Sequence, residues 1–221
     1  MKKQLFPLVT ADVALFTLVD GGLRVLLIQR ANEPFVGRWA LPGGVLDPAV
    51  DQDLEQTARR ILESKIKVQP GQLQQVTTVS GAKRDPRDWS ISVLFSALLP
   101  ADQVPAGPGD KTQAVQWCDP HRCGHRLAFD HRALLDTALE DLGKKVRNRI
   151  LPLHLLPAKF TLTQLQRVCE AILGHELDKG SFRRQLREHR DLVELAGEFV
   201  RGAQRPAQLY TAAPGFVFRD N

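Results

Sequence analysis

The amino-acid sequence predicts an α/β sandwich followed by a smaller domain built from two helices and a β-hairpin. The sandwich is predicted from β-rich segments that alternate with amphipathic helices. The smaller domain is predicted from the C-terminal third, where two helical patterns precede two strand-like segments. A chain of 221 residues can bury a core in each domain. Four basic residues between positions 143 and 149, followed by Pro152 and Pro157, indicate a linker, so we place the domains at 1–148 and 149–221.

The strands of the first domain are indicated by short β-rich segments between turn residues. Residues 13–19 and 24–28 flank the turn Asp20-Gly21-Gly22, which is typical of a β-hairpin. Further strands are predicted at 76–80 and 89–99, and the proline- and glycine-rich segment 100–110 is predicted to be a loop.

Two helices complete the predicted sandwich. After the turn Pro42-Gly43-Gly44, the spacing of Leu54, Ala58, Ile61 and Leu62 places four apolar residues on one helical face. A second helix over residues 131–147 closes the domain.

The second domain is predicted from capping and terminating residues. Thr163 and Gln166 fit a capping box, and the helix that follows ends at Gly174. A second helix is predicted over 179–189, with strands at 191–200 and 208–211. The order helix, helix, hairpin is typical of a winged helix-turn-helix domain.

Basic residues are concentrated where such a domain contacts double-stranded DNA. Residues 179–190 contain five basic side chains and one acidic one, with Arg183, Arg187 and Arg190 spaced as a stripe along the predicted helix. Because winged-helix proteins read two half-sites, we expect a homodimer on a DNA operator. The predicted DNA-binding residues are Thr163, Lys179, Ser181, Arg183, Arg184, Arg187, Arg201 and Arg205.

Composition limits the remaining classes of function. The net charge of +5 is compatible with an anionic partner, and three cysteines argue against a disulfide framework. No segment has the length of a membrane span, and Asp12 interrupts the apolar N-terminal run, so we expect a cytoplasmic protein without a signal peptide. Cys118, His121, Cys123 and His125 leave a zinc site open as an alternative, although four ligands within eight residues would strain the loop.

Residues 25–30, 37–44 and the helix after them resemble the Nudix hydrolases, whose signature is G-x5-E-x7-R-E-U-x-E-E-x-G-U, where U is a bulky apolar residue. The resemblance implies a helix whose glutamates bind Mg²⁺ in active members. In the register that we prefer, Ile61, Ser64 and Lys65 replace these glutamates, and Lys67 replaces the glycine. We therefore expect no catalytic residue, no metal, no cofactor and no hydrolase activity. The alternative is that Asp47, Asp53 or Glu63 rebuilds a metal site.

The first domain retains residues suited to binding a nucleotide. A glycine turn brings backbone amides close to an anion, arginines bind phosphates, and aromatic rings stack on a base. The alternative is that Trp39 belongs to the core and the arginines are solvated. The predicted effector-binding residues are Arg30, Phe35, Arg38, Trp39, Gly43, Gly44, Arg84 and Arg87.

Nearly the whole chain resembles the Nudix-related transcriptional regulators of bacterial NAD metabolism, the NrtR family. The resemblance is based on the two-domain pattern and on the segments 37–44, 84–87, 127–131, 155–157, 160–163, 177–179, 182–184 and 205–210. It implies a dimeric repressor of NAD-metabolism genes that releases DNA when ADP-ribose binds. Three alternatives stay open: a Mg²⁺-dependent ADP-ribose or nucleotide-sugar pyrophosphatase, a regulator of sugar utilisation, and a constitutive DNA-binding protein.

Overall fold

The computed structural model describes residues 6–100, 103, 112–187, 189–200, 206–216 and 218. Arg201 and Arg205, two of the predicted DNA-binding residues, lie outside the described residues, as does most of the predicted loop 100–110. None of the described helices is long and apolar enough to cross a lipid bilayer.

Seven described strands form the sheet of the first domain. They are β1 (Leu8–Val19), β2 (Gly22–Arg30), β3 (Trp39–Ala40), β4 (Gly43–Val45), β5 (Gln74–Gly81), β6 (Ser90–Leu98) and β7 (Thr112–Cys118). Their order is β3-β2-β1-β6-β5, with β4 beside β1 and β7 beside β2. β1 runs antiparallel to β2 and parallel to β6, so the sheet is mixed.

Two helices cover opposite faces of this sheet. They are α1 (Leu54–Ile66) and α2 (His131–Arg147). Because successive side chains of a strand point to opposite faces, Leu15 packs with Leu62 of α1 and Phe16 packs with Leu134 of α2. This arrangement confirms the predicted α/β sandwich.

The C-terminal part confirms the winged-helix prediction. Its elements are β8 (Phe160–Thr161), α3 (Leu162–Leu173), α4 (Lys179–Leu186), β9 (Leu192–Val200) and β10 (Ala207–Ala212). The three strands form an antiparallel sheet in the order β8-β10-β9. A short 3-10 helix, Leu153–Leu155, precedes them.

The two parts share one hydrophobic core cluster. Leu134 and Leu142 of α2 belong to it together with Leu165 and Val168 of α3, and the two helices pack against each other. Residues 143–147, which we expected to belong to a linker, form the last turns of α2, where Lys145 is buried and paired with Asp141. The expectation of a linker at these residues was wrong, and the helix predicted over residues 131–147 is confirmed. The domain boundary between residues 148 and 149 stays a prediction.

The predicted capping box was placed two residues too late. Thr161 is the N-cap of α3: the Gln164 amide donates to Thr161 Oγ1 at 3.2 Å, and the Thr161 amide donates to Gln164 Oε1 at 2.8 Å. The segment 161–166 contains the pattern Thr-x-x-Gln twice, and both copies fit the sequence rule. Thr161 is selected because it ends β8 in an extended conformation, which an N-cap residue requires.

Helix α4 is three residues shorter than predicted. It ends at Leu186, and Arg187 is extended with φ −62° and ψ 123°. His189 instead bonds to the Arg149 carbonyl oxygen at 3.0 Å, which holds the chain away from the helix axis. The predicted helical stripe of Arg183, Arg187 and Arg190 is therefore wrong, because only Arg183 lies on the helix.

Candidate functional site

A cavity of about 570 Å³ opens beside the Gly43-Gly44 turn. Its walls come from β1, β4, α1, the segment before β6 and the residues that lead into α2. Most of its cationic groups are arginines. The charged residues that line it are Asp12, Arg30, Glu33, Asp47, Arg60, Lys65, Arg84, Asp85 and Arg87, with His131.

The floor of the cavity is a buried hydrogen-bonded cluster around Asp12. Ser92 Oγ donates to Asp12 Oδ2 at 2.5 Å, and His131 Nε2 lies 3.5 Å from Asp12 Oδ1. Nδ1 of His131 accepts from the Leu41 amide at 3.0 Å, so the ring proton lies on Nε2 and faces Asp12. Burial lowers the pKa of His131, which keeps the ring neutral. A Cβ atom on Gly43 would collide with Asp12 Oδ1, so the turn requires glycine there.

The arginines of the cavity are held in place by carboxylates and aromatic rings. Arg87 pairs with Asp85, which raises the pKa of the guanidinium. Arg30 donates to the Pro34 carbonyl oxygen at 2.7 Å and lies 4.7 Å from the centre of the Phe129 ring. Burial and the neighbouring Arg87 lower the pKa of Arg30. These cations are positioned before any anion enters.

Arg84 is more enclosed than Arg60 or Arg87, with a side chain 9% exposed. Its Nε and Nη2 atoms donate to the two carboxylate oxygens of Asp130 at 3.0 and 3.1 Å, and Nη1 donates to Ser90 Oγ at 3.2 Å. This two-point pairing fixes the plane of the guanidinium.

Three residues on the inner face of α1 line the cavity: Ile61, Ser64 and Lys65. Lys65 Nζ donates to the Gly43 carbonyl oxygen at 2.6 Å. Lys67, which ends the helix, has a φ of +56°, the left-handed conformation that glycine favours. This conformation supports the register in which Lys67 stands at the signature glycine.

The acidic residues near the cavity are mostly engaged in other contacts or exposed, among the residues that the structure describes. Asp53 caps α1 by accepting from the Gln56 amide, Glu63 is exposed, and Asp47 alone of the three predicted alternatives lines the cavity. Asp51 pairs with Arg60, whose hydrogen bonds hold the pKa of that carboxyl well below its usual range. Among the described residues, no group of three or more His, Cys, Asp or Glu side chains is placed to hold a metal ion.

The structure brings together only part of the predicted effector set. Arg30, Gly43, Gly44, Arg84 and Arg87 line the cavity.

The other three members of that set lie outside it. Phe35 lines a smaller cavity of about 260 Å³, which shares Arg84, Asp85 and Phe129 with the larger one. Arg38 lies over the Phe35 ring at 5.2 Å. Trp39 packs against the core cluster on the α2 side, with its ring 5.3 Å from His125, as the core alternative expects.

Several cavity residues were missed by sequence reasoning. Phe129 belongs to the family-like segment 127–131, but nothing in the sequence indicates which residues it contacts. The signal for Asp12 was its position inside an apolar strand, where a carboxylate needs specific partners.

The second candidate site is the exposed face of α4. Lys179, Arg183 and Arg184 are exposed, while Phe182 and Leu186 anchor the opposite face in the core. Asp178 caps the helix by accepting from the Ser181 amide at 2.8 Å.

The start of α3 contributes to the same surface. Arg183 Nη2 donates to Thr163 Oγ1 at 3.4 Å, so these two predicted DNA-binding residues are in contact. Arg187 is exposed beyond the helix end.

Comparisons with known proteins agree with both halves of this description. The NUDIX domain model matches residues 9–138, and the NrtR DNA-binding winged helix domain model matches residues 152–212. The ADPR responsive transcriptional repressor NtrR of Acinetobacter baylyi is 42% identical over 209 residues, which cover 94% of this chain and 82% of that protein.

Two solved structures of Shewanella oneidensis NrtR are also similar. The complex with a 27mer DNA is 37% identical with a TM-score of 0.81, covering 93% of this chain and 94% of that one. The NUDIX domain complexed with ADP ribose is 39% identical with a TM-score of 0.57, covering 63% of this chain and 90% of that one. The chain therefore belongs to the NrtR family of transcriptional regulators, in which a Nudix domain is joined to a DNA-binding winged helix domain.

Proposed function

We propose that this chain represses NAD-metabolism genes and leaves its operator when ADP-ribose binds, without hydrolysis, in the Nudix domain. One observation carries the proposal: an arginine-lined cavity and an exposed basic helix occur in one chain, joined by a shared core. Similarity to relatives that respond to ADP-ribose and that bind DNA supports it.

The cavity suits a ligand that carries two phosphates and a base. Its volume of about 570 Å³ is within the range of small-molecule sites. Arg30, Arg84 and Arg87, together with Lys65 and the Gly43-Gly44 turn, supply donors for phosphate oxygens. The smaller cavity is lined by Phe35 and Phe129, whose rings offer surfaces for a base to stack on.

The proposal of binding without hydrolysis depends on the inner face of α1. Mg²⁺ requires several oxygen ligands in a near-octahedral arrangement. An isoleucine, a serine and a lysine face the cavity at positions 61, 64 and 65, and the ammonium group of Lys65 repels a dication. These residues do not fit a resident magnesium ion, so we derive no metal-dependent step.

The exposed face of α4 is proposed to enter the DNA major groove. Arg183 and Arg184 are placed to meet base edges and phosphates, and Lys179 and Ser181 lie at the end of the helix that most often meets bases. Thr163 positions Arg183 from α3. The remaining members of the proposed surface are Arg187, Arg201 and Arg205.

A selection experiment both identifies the operator and tests the repressor proposal. Purified full-length protein is used to select duplexes from a random library, and the enriched duplex is then titrated by fluorescence anisotropy. We expect a palindromic site bound by a dimer, with an affinity that falls as ADP-ribose is added. Arabinose and ADP serve as comparison ligands in the same titration.

Three outcomes would contradict the proposal. A selection that enriches no duplex would contradict specific DNA recognition. Release of the duplex by arabinose but not by ADP-ribose would favour a regulator of sugar utilisation. Mg²⁺-dependent conversion of ADP-ribose at the rate of an enzyme, with kcat on the order of 10 s⁻¹, would establish a pyrophosphatase.

A further inference from the structure

Helix α2 begins differently from the other three α-helices of the described chain. Asp53, Thr161 and Asp178 each cap their helix by accepting a hydrogen bond from a first-turn amide. Asp130 occupies the same position at α2, but within the described residues its carboxylate makes no capping hydrogen bond to that helix. Aspartate is among the best N-cap residues, so its side chain must be held elsewhere.

Arg84 holds that carboxylate. The two-point pair between Arg84 and Asp130 takes both carboxylate oxygens, at 3.0 and 3.1 Å. Arg84 also lines both cavities, so its guanidinium lies between the candidate ligand site and the start of α2. A phosphate group that enters the cavity therefore competes with Asp130 for the same donors.

Helix α2 connects this pair to the DNA-binding part. Its start lies at the cavity, because His131 accepts a hydrogen bond from the Leu41 amide and both His131 and Phe129 line the cavity. Farther along, α2 packs against α3 in the shared core. Thr163 near the start of α3 then contacts Arg183 of α4. These contacts form a continuous path of packed helices from α2 to the exposed face of α4.

We propose that Arg84 and Asp130 form the switch that couples ligand binding to DNA release. In the DNA-binding state Arg84 holds Asp130 away from α2. A phosphate of the ligand replaces Asp130 as the partner of Arg84. The freed carboxylate then caps the first turn of α2, which changes how α2 packs on α3. This inference rests on the proposed function and names the regulation of the same site.

The substitution Asp130→Asn removes the ion pair with Arg84 but leaves a side chain that can cap α2. Asparagine caps a helix about as well as aspartate does but cannot form the ion pair with Arg84. The α2 cap is then formed with or without ligand. The matched control is Asp136→Asn, because Asp136 pairs with Arg132 on the exposed side of the same helix, away from the cavity.

The dissociation constant of the selected operator duplex is measured with and without saturating ADP-ribose, and ADP-ribose binding is measured separately by calorimetry. Couplings between sites typically lie between about 5-fold and 150-fold, and we expect the parent protein and Asp136→Asn in that range. For Asp130→Asn we expect the operator affinity of the ligand-bound parent, and a change of less than about twofold when ADP-ribose is added. ADP-ribose binding is expected to be at least as tight as in the parent, because the carboxylate that competes for Arg84 has lost its charge.

An Asp130→Asn protein that releases DNA as the parent does would overturn the switch and leave the proposed function intact. A parent protein whose operator affinity does not change with ADP-ribose would contradict both the switch and the proposed function. Asp130→Ser, which also favours the N-cap position, provides a second uncharged variant that must behave in the same way. Thermal unfolding of each variant verifies that the comparison is made on folded protein.

Discussion

Nζ of Lys65 donates a hydrogen bond of 2.6 Å to the carbonyl oxygen of Gly43, which ties the inner face of α1 to the glycine turn. The ammonium group thereby lies at the wall of the cavity, on a position that our preferred register aligns with a glutamate of the Nudix signature. A fixed positive charge at this point favours an anionic ligand and disfavours a divalent cation.

Reversing the charge of Lys65 is expected to weaken ligand binding when the binding is measured in the absence of magnesium. We predict that Lys65→Glu lowers the affinity for ADP-ribose about 10-fold to 100-fold in the presence of EDTA, because a charge-assisted hydrogen bond is lost. Isothermal titration calorimetry measures the change. Lys67→Glu is the matched control, since Lys67 is exposed at the end of the same helix and does not line the cavity. Equal losses in both variants would show a general effect of net charge.

Gly43 is expected to tolerate no side chain. A Cβ atom at this position would collide with Asp12 Oδ1, which is held in place by Ser92 and His131. We predict that Gly43→Ala lowers the free energy of unfolding by about 1–3 kcal/mol, the usual cost of overpacking. Urea denaturation measures it. Gly71→Ala, where a Cβ atom would meet nothing within 4 Å, is expected to change the stability little.

The DNA-reading role of α4 predicts a specific loss of operator affinity. Arg183→Ala is expected to cost about 1–3 kcal/mol of operator binding, because its guanidinium is exposed on the helix next to Thr163. Anisotropy titration at fixed salt concentration measures the loss. Arg59→Ala removes the same charge from α1, where Arg59 pairs with Glu55, and should leave operator binding unchanged. A similar loss from both variants would contradict the assignment of α4.

The buried imidazole of His131 predicts a dependence of stability on pH. Burial lowers the pKa of this residue below its ordinary value of 6.5, so the unfolded chain binds a proton that the folded chain excludes. Stability is therefore fully present above pH 6.5 and falls as the pH decreases through that value toward the folded pKa. Urea denaturation at a series of pH values should show this slope reduced in His131→Gln. His121→Gln, at an exposed position, should retain it.

The sequence predicted most of the fold because the apolar periodicity and the turn residues are strong. The bounds of α2 match the prediction, and Gly174 ends α3 as expected. Strand β7 was missed because Gln113 and Gln116 interrupt its β pattern, and it is recognised as a strand only by its pairing with β2. Strand β8 is too short to produce a pattern. The end of α4 was misjudged because the bond between His189 and Arg149 joins residues far apart in the chain.

The candidate site was harder to predict than the fold. Arg30, Arg84 and Arg87 were predicted to bind the effector, but the Asp130 partner of Arg84 and the Phe129 ring beside Arg30 come from a distant part of the chain. Asp130 is 46 residues from Arg84, and Asp12 is 80 residues from Ser92. Such distant pairs leave no local pattern. Trp39 was predicted to bind the effector; its ring packs against the core cluster on the α2 side, and its role in binding stays a prediction.

The most direct test of binding without turnover is a time course. Operator duplex bound to the protein is mixed with excess ADP-ribose and Mg²⁺, and the anisotropy is followed for hours while the ADP-ribose concentration is measured by chromatography. We predict immediate release that persists, with the ADP-ribose intact. Recovery of the complex in step with the appearance of AMP and ribose 5-phosphate would contradict the account, because the Nudix domain would then be an enzyme.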